Sequence, residues 1–139
     1  MPTITATFEI TGWDETVYDA PDEGPPMARA TVRKRFSGPL EGTSSAELLT
    51  AKGDGGAGYL ASERVEASLE GRRGTFVMQH GGIGDETEQR AFGSIVPGSG
   101  TGELEGLRGD ATFAHDDAGA RLTLSYTLAG TPNRATLRS

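Results

Sequence analysis

Lys34, Glu63 and His80 fall where apolar side chains would be expected. In residues 59–82, YLASERVEASLEGRRGTFVMQHGG, one alternating register runs Tyr59, Ala61, Glu63, Val65, Ala67, Leu69. Side chains alternate faces along a strand, so this register should face a core and carry Glu63 with it. The next stretch places Phe76, Met78 and His80 together, and upstream Lys34 shares a register with Ala28, Ala30, Val32 and Phe36. A buried charge is costly unless paired, so Lys34 and Glu63 are expected to meet each other or another polar group. Tyr59 and Tyr126 add phenolic hydroxyls. A carboxylate, an ammonium, an imidazole and phenols in one lumen could orient the polar head of a ligand or exchange protons with it. The structural alternative is a satisfied internal pair closing one end, with His80 near the rim.

Other chemistries find little support. There are no cysteines, which excludes disulfides, thiolate nucleophiles and Cys-based zinc sites. His115 abuts Asp116 and Asp117, but no other ligands stand at diagnostic spacing, so a solvated turn is the expectation and no metal is. Gly98-Ser99-Gly100-Thr101-Gly102 lacks the glycine spacing and the Lys-Ser/Thr pair of a phosphate loop. Ser99 lacks a nucleophile-elbow pattern, and no cofactor is expected. The acidic stretch Asp14–Pro26 does not match a calcium loop; it reads as a solvated connection, with a lid hinged at Trp13 as the alternative.

The elements that must hold these residues are strands. Ile4, Ala6, Phe8 and Ile10 alternate with Thr3, Thr5, Thr7, Glu9 and Thr11, a pattern of strongly β-favouring residues. Met27–Phe36, Ser45–Lys52, residues 59–70, Thr75–His80, Arg90–Val96, Asp110–His115 and residues 121–128 read as further strands. Ser37–Ser44 reads as a turn, Gly53–Gly58 as a corner, Gly81–Gln89 as a polar loop and Pro97–Gly109 as a Gly-rich connection. No segment holds a helical period. About eight strands with one apolar face each cannot bury that face in an open sheet. A single closed antiparallel β-barrel over residues 1–130 is therefore expected, followed by a polar tail at 131–139; a two-sheet sandwich is the competing solution.

The chain has 139 residues, a net charge of −7 and 21 glycines. That charge disfavours nucleic acid and anionic membranes as partners. The cluster Arg29, Arg33, Lys34, Arg35 is expected to pair across strands with acids rather than to bind polyanions. No apolar run approaches a membrane span and the N-terminus lacks signal-peptide character, so cytoplasmic residence is the simplest expectation.

Several corners carry a resemblance. Phe36–Gly42 (FSGPLEG), Tyr59 with Glu63-Arg64-Val65, Leu69–Val77 (LEGRRGTFV), Gln79-His80 and Val96–Leu104 (VPGSGTGEL) resemble a large bacterial domain-of-unknown-function family of about this length. The likeness spans nearly the whole chain and is most specific at Ser99–Leu104. The family is similar in fold to allene oxide cyclase and the calycin-like barrels, which implies a closed antiparallel barrel but no established reaction.

The functional expectation is a module that holds a small, largely apolar molecule in its lumen. Tyr59, Phe76, Met78, Tyr126 and Leu128 would supply contact area, and Lys34, Glu63 and His80 would orient a polar group. The alternative is a cofactor-free isomerase or cyclase, with Glu63 as acid or base, Lys34 stabilising negative charge and Tyr126 or His80 donating a proton. A structural role without ligand is the third reading. Oligomeric state is not legible.

Overall fold

In a computed structural model that describes residues 2–117 and 119–128, the chain is a ring of antiparallel strands. The strands are β1 Thr3–Asp19, β2 Met27–Ser37, β3 Leu40–Gly53, β4 Gly56–Leu69, β5 Arg72–Asp85, β6 Gln89–Ile95, β7 Leu107–Asp116 and β8 Gly119–Leu128. Each pairs with its neighbours in chain order, and β8 closes onto β1 from Thr3↔Ser125 to Phe8↔Ala120. A single closed sheet, rather than two packed layers, therefore buries the apolar faces. The expected tail at 131–139 lies outside the described residues. Among the described residues no helix is long and apolar enough to cross a membrane.

Cross-strand pairing sorts the inner face into rows, because residues directly opposite share a face. One row is Ile10, Lys34, Ser44, Val65 and Phe76; the next is Trp13, Val32, Ala46, Glu63, Met78 and Ile95. Above them lie Ala30, Leu48, Ala61 and His80, and then Val17, Ala28, Thr50, Tyr59 and Gly82 at the rim. Toward the opposite end, the floor, Leu40, Leu69, Leu104 and Leu107 are fully buried. Leu104 sits on a short 3-10 turn, Gly102–Leu104, carried by the Gly-rich connection between β6 and β7.

That connection does more than join strands. β6 reaches β5 only from Met78↔Ile95 upward, which leaves the lower part of β5 without a ladder partner on that side. The backbone groups there are nevertheless satisfied, as buried or half-buried amides and carbonyls require. Val96 N–H donates to Val77 O at 2.9 Å and Thr101 N–H to Thr75 O at 2.8 Å. Val77 N–H donates to Ser99 Oγ at 3.0 Å, and Thr75 N–H to Thr101 Oγ1 at 3.1 Å. Gly74 permits this approach, since a Cβ there would stand 2.0 Å from Thr101 O.

Two segments read as loops are strand. β1 runs on through Asp14–Asp19, with register shifts at Ile10/Gly12 and Val17/Asp19 that absorb the expected bend. Its acids are not a free loop: Asp14 faces Arg33 at 3.9 Å and lies opposite Thr31 in the ladder. The lid hinged at Trp13 is thereby overturned. Likewise Gly81–Asp85 extends β5, although its glycines resemble a breaker run. Ser37–Ser44 turns only at its start, and β3 already begins at Leu40. The basic cluster pairs across strands as expected, Arg29 with Glu47 at 2.9 Å and Arg35 with Glu9 at 3.1 Å. Such exposed pairs are screened by water and contribute little to stability.

Candidate functional site

The inward registers of β2, β3, β4 and β5 bring four polar groups to one level of the ring. Glu63 is fully buried, and both of its carboxylate oxygens accept hydrogen bonds. Lys34 Nζ donates to Oε1 at 3.1 Å and Ser44 Oγ donates to Oε2 at 2.6 Å. His80 Nε2 lies 2.8 Å from the same Oε1, and His80 Nδ1 lies 2.9 Å from the Tyr59 hydroxyl. A carboxylate can only accept, so His80 Nε2 carries a hydrogen. The Lys34 ammonium also rests on two rings, 4.8 Å from the Phe8 centroid and 4.5 Å from that of Phe113. His80 stacks obliquely on Phe113 at 4.5 Å. Every buried side-chain nitrogen and oxygen among the described residues has a hydrogen-bond partner.

The electrostatics follow from these contacts. Burial alone would push the Glu63 carboxyl up, but the His80 hydrogen bond, the Lys34 charge and the Ser44 hydrogen bond outweigh it and hold the group below its ordinary value. Tyr59 is shifted the other way, by burial first and the Glu63 charge second. Because Glu63 is harder to protonate in the folded chain than in the unfolded one, the unfolded state binds more protons at acid pH. Its contribution is complete above the ordinary value of 4.5 and fades as pH falls from there through the lower folded value. Urea midpoints recorded on descending pH should fall in that window, and Glu63→Gln should flatten that part of the curve; an unchanged slope in the variant would contradict the assignment.

Not all expected site residues join this cluster. Phe76 and Met78 are fully buried in the main core with Phe36, Val65 and Leu124, so they offer no open contact surface. Tyr126 lies at the floor, where its hydroxyl makes a short hydrogen bond to Glu70. Burial and that bond to Glu70 push its phenol up to about 12. Leu128 stands beside it, lining a floor cleft with Pro2 and Arg72. Two tyrosines expected in one lumen thus belong to opposite ends. His115, expected in a solvated turn, is exposed and lies edge-on to Phe8 at 5.6 Å.

Tyr59 is the member of the chain that reaches an opening. It is half-buried, and its ring lies over Gly82, where a Cβ would stand 3.2 Å from the ring edge. It lines a groove of ≈ 930 Å³ at the rim, together with Met27, Leu49, Leu60, Ile83 and Phe92. Those five are exposed large apolar side chains from the outer register of β2–β6. On the inner side of the same end Ile10, Trp13 and Val17 also remain half open, because β1 has no β8 partner beyond Phe8.

Sequence reasoning missed Ser44 and the outer apolar residues. Ser44 shares the even-numbered register of Ala46 and Leu48, a signal hidden by the turn assigned over it. Leu49, Leu60 and Phe92 are large apolar residues that the ladder pairing turns outward.

The fold and site together define a class: a small antiparallel ring that seals a chain of polar side chains inside and carries an apolar groove at one end. The profile of the family described as "Protein of unknown function (DUF3224)" matches residues 4–128, and the chain belongs to that family. A crystal structure of a DUF3224 protein from Shewanella oneidensis MR-1 is similar to it, with a TM-score of 0.82 and 33% identity over 94% of this chain and 99% of that one. No curated protein matches it.

Proposed function

We propose that the protein binds a small, largely apolar molecule in the rim groove, with Tyr59 as its polar contact. The observation that carries this is the groove itself, where five large apolar side chains stand exposed beside the half-buried Tyr59. Lys34, Ser44, Glu63 and His80 act as positioning residues that fix the hydroxyl. Phe76, Met78 and Tyr126 hold the wall and floor. An apolar concavity with few polar groups is the usual form of a small-molecule site. Large exposed apolar side chains gathered on an otherwise polar surface point the same way.

The test is thermal unfolding against a lipophilic panel of fatty alcohols, phenols and terpenoids, with the groove-blocked variant Leu60→Glu beside the wild type. A ligand at ~100 times its Kd stabilises by about 2.7 kcal/mol, a rise on the order of 10 °C. Leu60→Glu should abolish the rise. A panel without effect, or equal shifts in both proteins, would overturn the proposal.

The continuous carboxylate–imidazole–phenol chain favours one second reading, a cofactor-free isomerase or cyclase, in line with the allene-oxide-cyclase-like fold that the family resemblance implies. Tyr59 would then pass a proton to or from a bound substrate, with His80 and Glu63 behind it. Tyr59→Phe separates the two. A binder loses modest affinity, whereas an enzyme loses turnover by about 10² or more.

A further inference from the structure

β1 outruns one of its neighbours. β8 pairs with it only as far as Phe8↔Ala120, whereas β1 continues to Asp19. Among the described residues, Glu9–Asp19 has β2 on one side and no strand on the other. In an antiparallel ladder every second residue turns its N–H and C=O away from the partner strand. This stretch therefore offers a row of main-chain donors and acceptors to solvent.

Folded proteins blunt such edges with charges and bulges, and this one has Asp14, Glu15 and Asp19 and the register shifts at Ile10/Gly12 and Val17/Asp19. Protection alone does not account for its apolar side chains. Ile10, Trp13 and Val17 face inward opposite Lys34, Val32 and Ala28, yet stay 48%, 50% and 52% exposed. Trp13 is held in place by its own Nε1, which donates to Glu15 Oε1 at 3.0 Å. A strand laid along the edge would cover all three.

Charge narrows the partner. Asp14, Glu15, Asp19, Asp22 and Glu23 follow one another with no Lys or Arg between Phe8 and Arg29. The arginines of β2 already face acids: Arg29 meets Glu47, Arg33 meets Asp14 and Arg35 meets Glu9. A second copy of this edge would set acid against acid. We propose that the edge of β1 over Glu9–Asp19 takes up an extended segment of another protein as an added strand, with apolar side chains toward Ile10, Trp13 and Val17 and basic ones toward the outward acids Asp14 and Asp19. Main-chain pairing supplies the affinity of such a contact, and the alternation of side chains supplies its specificity.

Trp13 is the single tryptophan, so its emission reads the edge without a label. The probes are three short capped peptides: alternating Lys and Val, alternating Glu and Val, and the Lys peptide with its valines replaced by proline, which keeps the charge and removes those N–H donors. Added to the whole chain at neutral pH and low salt, the Lys/Val peptide should shift Trp13 emission to the blue. It should bind at least about tenfold more tightly than either of the others. Glu15→Gln with Asp19→Asn, both at exposed positions, should weaken it about fivefold. No response to the Lys/Val peptide would overturn the proposal. Equal binding of the proline peptide would do the same, by showing charge attraction without strand pairing, as would unchanged affinity in the double variant. Emission that shifts on dilution of the protein alone would give the edge to a second copy and overturn it as well.

Discussion

Glu63→Gln is expected to destabilise the protein by about 3–5 kcal/mol, the usual cost of breaking a buried ion pair from one side. The substitution keeps shape and volume, so packing does not contribute. What it removes is the countercharge of Lys34, a residue only 8% exposed, so its ammonium cannot recover full hydration. The Phe8 and Phe113 rings retain some hold on that cation, of order 0.5–2 kcal/mol, which softens the loss without cancelling it. Lys34→Met combined with Glu63→Gln should recover most of the stability. It deletes both charges and leaves an amide to meet Ser44 and His80. Urea unfolding at neutral pH with an unchanged slope is the measurement. A single variant within about 1 kcal/mol of wild type would show that the pair is not closed off from water as described.

Gly74→Ala should be nearly as damaging. The added methyl would stand 2.0 Å from Thr101 O, and its neighbour there is backbone rather than a side chain that can rotate away. Overpacking costs about 1–3 kcal/mol and more when a backbone must move, so about 3 kcal/mol is expected. The strain falls on the connection that carries Leu104 into the floor. Amide exchange should therefore accelerate at Thr75, Val77 and Val96 before it does in β3 or β4. Gly53→Ala is the control, because its nearest neighbour is Pro25 at 3.8 Å and its φ is ordinary. Equal stability of the two variants would mean that the connection is not docked against β5.

The architecture was largely written in the alternation. β2, β4 and β8 each keep one inner register along their length, as β1 does up to Ile10, and a register is what a closed sheet reads. The polar residues inside were legible for the same reason. Lys34, Glu63 and His80 interrupt apolar series whose facing is fixed by their neighbours. What sequence could not convey was height along the ring. Tyr59 and Tyr126 share a facing but sit at opposite ends, because the pairing offset of β4 against β8 is set through four intervening ladders in either direction rather than by either strand. Strand ends were also opaque. Asp14–Asp19 carries three acids and Gly81–Asp85 three glycines, and both became strand because β2 and β4 offered them partners.

The seam between β6 and β7 holds one ladder pair, Ser94↔Asp110, where other seams run for many residues. Below it, the wall is stitched by the hydroxyls of Ser99 and Thr101. Apparently soluble residues in a glycine-rich stretch thus carry cylinder continuity that elsewhere comes from main-chain bonding. A tally of oily residues, 35% here, undercounts what keeps such a chain closed. In this molecule a serine can be as structural as a leucine.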